Sequence, residues 1–213
     1  MGRYTGPACR ICRREGIKLF LKGKRCTTAK CAIEKQRPSP GMHGRKYRKA
    51  PVSAASSYKS QLRAKQQLRY YYGLQEEQFR FIFEKALKKR GVTGECMLQL
   101  LETRLDNVVY RLGWAPSRRA ARQMVVHEHV LVNGKKVNIP SMTLQPGTVV
   151  QIRDNERSRA LVKRFQETGP SPVIPPWLSL DEQKLSGMVL RLPTKEEIAP
   201  VADEQLVVEL YSK

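Results

Sequence analysis

The chain is short of acids, aromatics and long apolar runs, and each shortage closes off a class of function. Only 19 of its 213 residues are Asp or Glu, against 40 Lys or Arg, which leaves a net charge of +21. A chain this basic repels itself unless a polyanion screens it, so nucleic acid leads the candidate partners. No apolar run approaches the roughly 20 residues that cross a bilayer. Near the start, residues 17–21 are broken by Lys18 and followed by Lys22, Lys24 and Arg25, a pattern that does not read as a secretion signal. A cytosolic setting with reduced cysteines is therefore expected. Aromatics make up 7% and charged residues 28%, so the 40% hydrophobic share supports modest cores beneath a large solvated or RNA-facing surface. Nor does a long amphipathic helix with an aromatic apolar face argue for a membrane-surface protein.

Charge and cysteine are both concentrated at the start. Residues 1–50 hold fifteen Lys or Arg and only two acids, Glu15 and Glu34, so thirteen of the twenty-one net charges sit in the first quarter. Four of the five cysteines are there too, as Cys9-x2-Cys12 and Cys26-x4-Cys31. Two close pairs of thiolates can close a tetrahedron around one ion, with zinc expected first and an iron–sulfur cluster the alternative. The surrounding Arg10, Arg13, Arg14, Lys24, Arg25 and Lys30 offer nothing apolar to bury these thiols, and their charge is expected to lower the thiol pKa. From Pro38 to Pro51 the chain reads as an extended basic arm carrying Arg45, Lys46, Arg48 and Lys49, suited to ordering against RNA.

Helical patterns follow. One runs from Ser56 to the tyrosines at 70–72, with Arg63, Lys65 and Arg69 on its polar face; interleaved with Tyr70, these can pair phosphates and stack bases. A second covers 75–90, with Phe79, Ile82, Phe83, Ala86 and Leu87 at helical spacing. Met97, Leu98, Leu101, Leu105, Val108 and Leu112 then form one stripe, placing a domain junction near 95–105, with Cys96 a small core residue beside it.

Residues 104–140 organise the rest. A helix ends at Gly113, and a second starts after Pro116 with Ser117 as its cap, crowding Arg118, Arg119 and Arg122 onto one short element. Alternation on both sides of Asn133-Gly134 predicts a tight hairpin carrying Lys135 and Lys136. Together they make a platform for a phosphate backbone. Residues 144–152 add a turn and a short strand, and 153–168 a helix of mixed charge. Beyond a proline-rich loop, Trp177, Leu178 and Leu180 fold back onto a core. From 180 onward four basic residues face seven acids, and 206–211 reads as a strand or docked terminus returning to the first helices.

Arg-Leu-Asp-Asn at 104–107, Ser-Arg-x-x-Ala-Arg-Gln at 117–123, His-x-His-Val-x-Val-Asn-Gly at 127–134 and Ile-Pro-Ser at 139–141 resemble, in this order, the family of small-subunit ribosomal protein four. The likeness runs from Arg3-Tyr4 and the cysteines, through Trp-Leu-Ser-Leu at 177–180, to Leu-Tyr-Ser-Lys at 210–213. It implies a structural protein with no small-molecule substrate, which binds the five-prime domain of small-subunit ribosomal RNA and helps nucleate the particle. It further implies a place beside ribosomal proteins three and five, where messenger RNA enters, and an influence on decoding accuracy; some members repress their own messenger. It adds Arg104, Arg111, His127 and His129 to the RNA-binding set, and some members carry the cysteine quartet. The setting it implies is the small ribosomal subunit in the cytoplasm, with the plastid stroma as the alternative.

The expected fold class is α+β. A mainly helical N-terminal domain carries the metal knuckle, and a small RNA-binding module packs two helices on a short antiparallel sheet. The boundaries are 1–45 for knuckle and arm, 46–100 for a helical domain joined by 185–213, and 101–184 for the small module. An RNA-modifying enzyme would need a second catalytic domain, and the 60 or so residues after 153 are too few and too broken by proline. A cysteine-knuckle DNA regulator would need a recognition helix after the cysteines, and none follows.

Overall fold

The computed structural model describes residues 2, 4–44, 57–168, 173–181, 183–198 and 200–212. They divide into two compact units, residues 1–96 with 200–213, and residues 97–199.

In the first unit, α1 (Ala8–Glu15) turns Ala8, Ile11 and Cys12 inward and stops at Gly16, whose φ of 77° only glycine adopts without strain. Leu19 and Leu21 close over that face to form a small core, with Tyr70 and Tyr71 packed against it. A 3₁₀ turn (Gly23–Cys26) follows. Helix α2 (Ser57–Tyr71) buries Gln61, Ala64, Lys65 and Leu68, and α3 (Glu76–Leu87) buries Phe79, Ile82, Phe83 and Ala86. Both patterns follow the 3.6-residue period.

Of the two readings of the last residues, strand or docked terminus, the structure takes the second. Residues 204–211 form a helix, not a strand, started by Asp203, whose carboxylate accepts from the Gln205 amide at 2.9 Å. It docks on α2, where Gln61 donates to Glu209 at 2.7 Å, and the Tyr211 ring stacks over Phe83 of α3 at 4.7 Å. β-branched Val207 and Val208 favour a strand locally. Burial of Val207, repeating at helical spacing with the Tyr211 stack, overrides that preference.

In the second unit, α4 (Thr93–Glu102, its last six residues) leads to α5 (Leu105–Arg111) and α6 (Arg118–Val126). The apolar stripe from 97 to 112 is continuous, but the helix is not. Arg104 takes extended angles and bridges Thr143, while the Leu105 amide donates to Met142 and the Leu144 amide to Thr103. Ser117 caps α6 as expected, accepting from Ala120 at 3.3 Å.

Strands β1 (Val130–Val132), β2 (Lys135–Lys136), β3 (Val149–Ile152), β4 (Leu178–Asp181) and β5 (Ser186–Val189) form one antiparallel sheet, ordered β2-β1-β3-β5-β4. Helix α7 (Glu156–Thr168) joins β3 to β4. The assignment of 185–213 as one segment to the helical domain is therefore wrong for 186–198. Met188 pairs with both Val149 and Ser179, inside the sheet, and the short helix α8 (Lys195–Ile198) also lies in the second unit. The sequence Ser-Gly-Met-Val conceals this, since Gly187 carries no side chain to mark its inward face. A Cβ there would come within 2.6 Å of Leu112, so the position is small because α5 leans on the sheet. Val130, Val132, Val150, Ile152 and Val189 meet Leu105, Val108, Leu112, Trp114 and Trp177 in the core.

Candidate nucleic-acid interface

The arginines of the second unit do not simply point to solvent. Arg104 grips Asp106 with two bonds, Nε to Oδ1 at 3.1 Å and Nη2 to Oδ2 at 2.8 Å. Arg122 donates to the same Oδ2 at 3.2 Å. Arg118 donates through Nε to Asn107 Oδ1 at 2.7 Å and lies 4.5 Å over the Tyr110 ring. Asn107 in turn donates to the Glu102 carbonyl and carboxylate at 2.8 and 2.7 Å, and Arg111 binds that carboxylate with two bonds. Arg104, Arg118 and Arg122 are 5%, 8% and 9% exposed. Buried guanidinium groups are held this way because each unmatched charge inside is costly. Arg118 and Arg122 are thus anchored within their own unit, and Arg119 is half-buried.

The hairpin presents its charge outward. Asn133 and Gly134 both have positive φ, 48° and 76°, which gives the type I′ turn that matches strand twist. Asn133 also accepts from the Val149 amide at 2.9 Å, fixing the tip to β3. Lys135 and Lys136 are exposed on the outermost strand, where lysines also discourage pairing with another chain. His127 is exposed beside Gln123 at 3.3 Å, and His129 Nδ1 lies 2.8 Å from Ser158 Oγ. Burial, then the nearby His127 and Arg153 charges, holds the His129 pKa below its ordinary value. Arg157 and Lys163 of α7 are also exposed, on a helix whose Glu156 and Glu167 give it a mixed charge.

In the first unit the predicted RNA-facing cations of α2 meet acids of their own unit. Arg63 donates to Glu15 at 2.9 Å, although burial still pushes the Glu15 carboxyl up. Lys65, only 8% exposed, donates to Glu76, and Arg69 lies 3.6 Å from the same carboxylate and 4.4 Å over the Tyr70 ring. Tyr70 itself packs on the α1 core. Arg45, Lys46, Arg48 and Lys49 lie outside the described residues.

The four thiols lie in one region. Cys12, Cys26 and Cys31 are buried, Cys9 half-buried, and all are free. Two expectations are corrected here. Apolar neighbours do exist for Cys12, which packs in one cluster with Ala8, Ile11, Leu19 and Leu21. Burial also raises the Cys12 and Cys26 thiols, where positive surroundings were expected to lower them. Backbone amides of Leu19 and Lys22 offset part of that rise, the latter at 3.4 Å from Cys26 Sγ, and the neighbouring cysteines add to it. Among the described residues, no group of three or more His, Cys, Asp or Glu side chains is gathered to hold a metal ion. The donor set suits a soft or borderline cation.

An arginine-rich helix pair and a basic hairpin on a small antiparallel sheet define an RNA-binding module of the S4 class. Residues 103–150 match the S4 domain, and residues 3–102 match the ribosomal protein S4/S9 N-terminal domain. Small ribosomal subunit protein uS4 of Thermus thermophilus is 51% identical over 213 residues, 100% of both chains. Its counterpart in Dictyoglomus turgidum is 54% identical and uS4A of Symbiobacterium thermophilum 51%, each over the same full length. The chain belongs to the uS4 family of small ribosomal subunit proteins.

Proposed function

We propose that this chain is a structural, non-enzymatic component of the bacterial-type small ribosomal subunit, in the cytoplasm, and that it binds small-subunit ribosomal RNA directly. The observation that carries this reading is similarity at about half identity across the whole length of uS4 relatives. The hairpin supports it physically: Lys135 and Lys136 are exposed and held at a fixed tip, so they present charge to phosphate at little ordering cost. In the same reading the chain binds early, nucleates assembly, neighbours ribosomal proteins three and five near the incoming messenger RNA, and contributes to decoding accuracy. Cys9, Cys12, Cys26 and Cys31 bind one zinc ion, or an iron–sulfur cluster as the alternative, as thiolates whose mutual repulsion the cation offsets. Co-sedimentation of the tagged chain with small subunits tests the reading. Recovery with small subunits at moderate salt is expected, and recovery only in the free protein fraction sinks it.

A further inference from the structure

A groove of about 300 Å³ opens beside the end of α6 in the second unit. Ala120, Gln123, Met124 and His127 line one wall, at helical spacing. Leu161 and Phe165, one turn apart on α7, line the other, with His129 between. The size is at the lower end of sites that take small ligands, roughly 300–1,000 Å³.

We propose that this groove receives one unstacked nucleobase of the bound RNA; the inference rests on the RNA-binding reading above. Three observations carry it. Flat rings line the groove, Phe165 and the two imidazoles, with the imidazole centroids 6.4 Å apart, and a base offers a flat partner to such rings. Its polar atoms belong to Gln123, His127 and His129, which can both donate and accept toward a base edge. No carboxylate lines it among the described residues, while exposed Arg157 lies one turn before Leu161 on the same face of α7 and Arg153 lies near His129. Arginines beside an apolar floor suit a base with its phosphate attached, whereas an apolar protein side chain would leave Arg157 and Arg153 without a counter-charge. Single-stranded or looped RNA supplies such bases, because a paired base is not accessible.

The test uses the full-length chain in two assays. In the first, histidine and phenylalanine ring signals are followed by NMR while the four nucleoside 5′-monophosphates, and separately ribose 5-phosphate, are added. At least one nucleotide is expected to move His127, His129 and Phe165 together, with ribose 5-phosphate leaving them in place. Unmoved rings with every nucleotide, or equal movement with ribose 5-phosphate, overturn the proposal; the latter marks an anion contact only. In the second, a small-subunit ribosomal RNA fragment is titrated with Ala120→Met, which fills the groove, and His127→Ala, which removes an exposed ring. Each is expected to weaken binding about tenfold, the scale of one base–aromatic stack. The salt dependence should not change, since no phosphate contact is lost. Wild-type affinity in both variants, with folding confirmed by circular dichroism, overturns it as well. Failure of the wild-type chain itself to bind the fragment removes the ribosomal reading instead, and the nucleotide titration still decides the groove.

Discussion

At Asp106 two guanidinium groups converge on one carboxylate that is only 5% exposed. Such a group holds local structure more through what its loss would leave behind than through the pair energy. Asp106→Ala strands Arg104 and Arg122 inside the fold and is expected to destabilise the second unit by about 3–5 kcal/mol in urea unfolding. Asp106→Asn should cost less, because it keeps acceptor capacity at the same place. In the first unit, Glu76 illustrates the opposite case, a pair open to water. Burial pushes its carboxyl up, yet bonds from Lys65 and Tyr211 outweigh this and leave it below the ordinary glutamate value. A lowered carboxyl contributes stability above the unfolded value, and that contribution fades as pH falls through the folded one. Glu76→Gln should therefore differ from wild type at pH 7 and converge with it below about pH 4. The difference is small, since Glu76 is 43% exposed and screened. Guanidinium melts at several pH values measure the convergence.

The hairpin shows how an element decides what its residues present. Two consecutive positive-φ positions, Asn133 and Gly134, turn the chain so that Lys135 and Lys136 fall on the outer strand. Gly134→Val puts a β-branched side chain into left-handed backbone and is expected to cost about 1–2 kcal/mol. It should also loosen the two lysines, visible as lower melting temperature and weaker RNA binding together. A drop in RNA binding with an unchanged melt would instead mean that the turn conformation is not strained by the substitution. The sheet and the end of α5 constrain each other in a similar way at Gly187, where Leu112, just past the helix, lies 2.6 Å from where a Cβ would sit.

For the molecule as a whole, +21 makes salt the most direct probe of binding. Affinity for folded RNA should fall with a slope near −0.9 per duplex phosphate neutralised, or about −0.7 on single strands. Lys135→Ala with Lys136→Ala should flatten that slope by about one to two units. Arg118 and Arg122 belong to a different class of test: each is anchored to Asn107 or Asp106. Their removal should register first as lost stability, and a change in salt slope counts only once folding is shown intact. The proposed zinc ion has its own test in the first unit, where structural zinc carries roughly 10–16 kcal/mol of apparent binding energy. Chelation is expected to raise protease cleavage within residues 5–35 while 104–180 stay resistant. No zinc or iron in metal analysis of the reduced protein removes the ion from the account.

Local pattern was sufficient where a single element's own chemistry decides the outcome. Ser117 as a helix cap, Asn133-Gly134 as a hairpin tip, and the apolar face of Phe79, Ile82 and Phe83 all follow from residues within a turn or two of one another. The family, too, was legible in its short motifs. Tertiary structure decided the rest. It bent the 97–112 stripe at Arg104 by pairing it with Thr143, drew 186–189 into the sheet, and made a helix of 204–211. It also turned Arg118 and Arg122 inward, toward side chains eleven and sixteen residues away. A sequence shows where charge is carried; whether an arginine faces solvent depends on where folding brings the carboxylates and amides that can satisfy it.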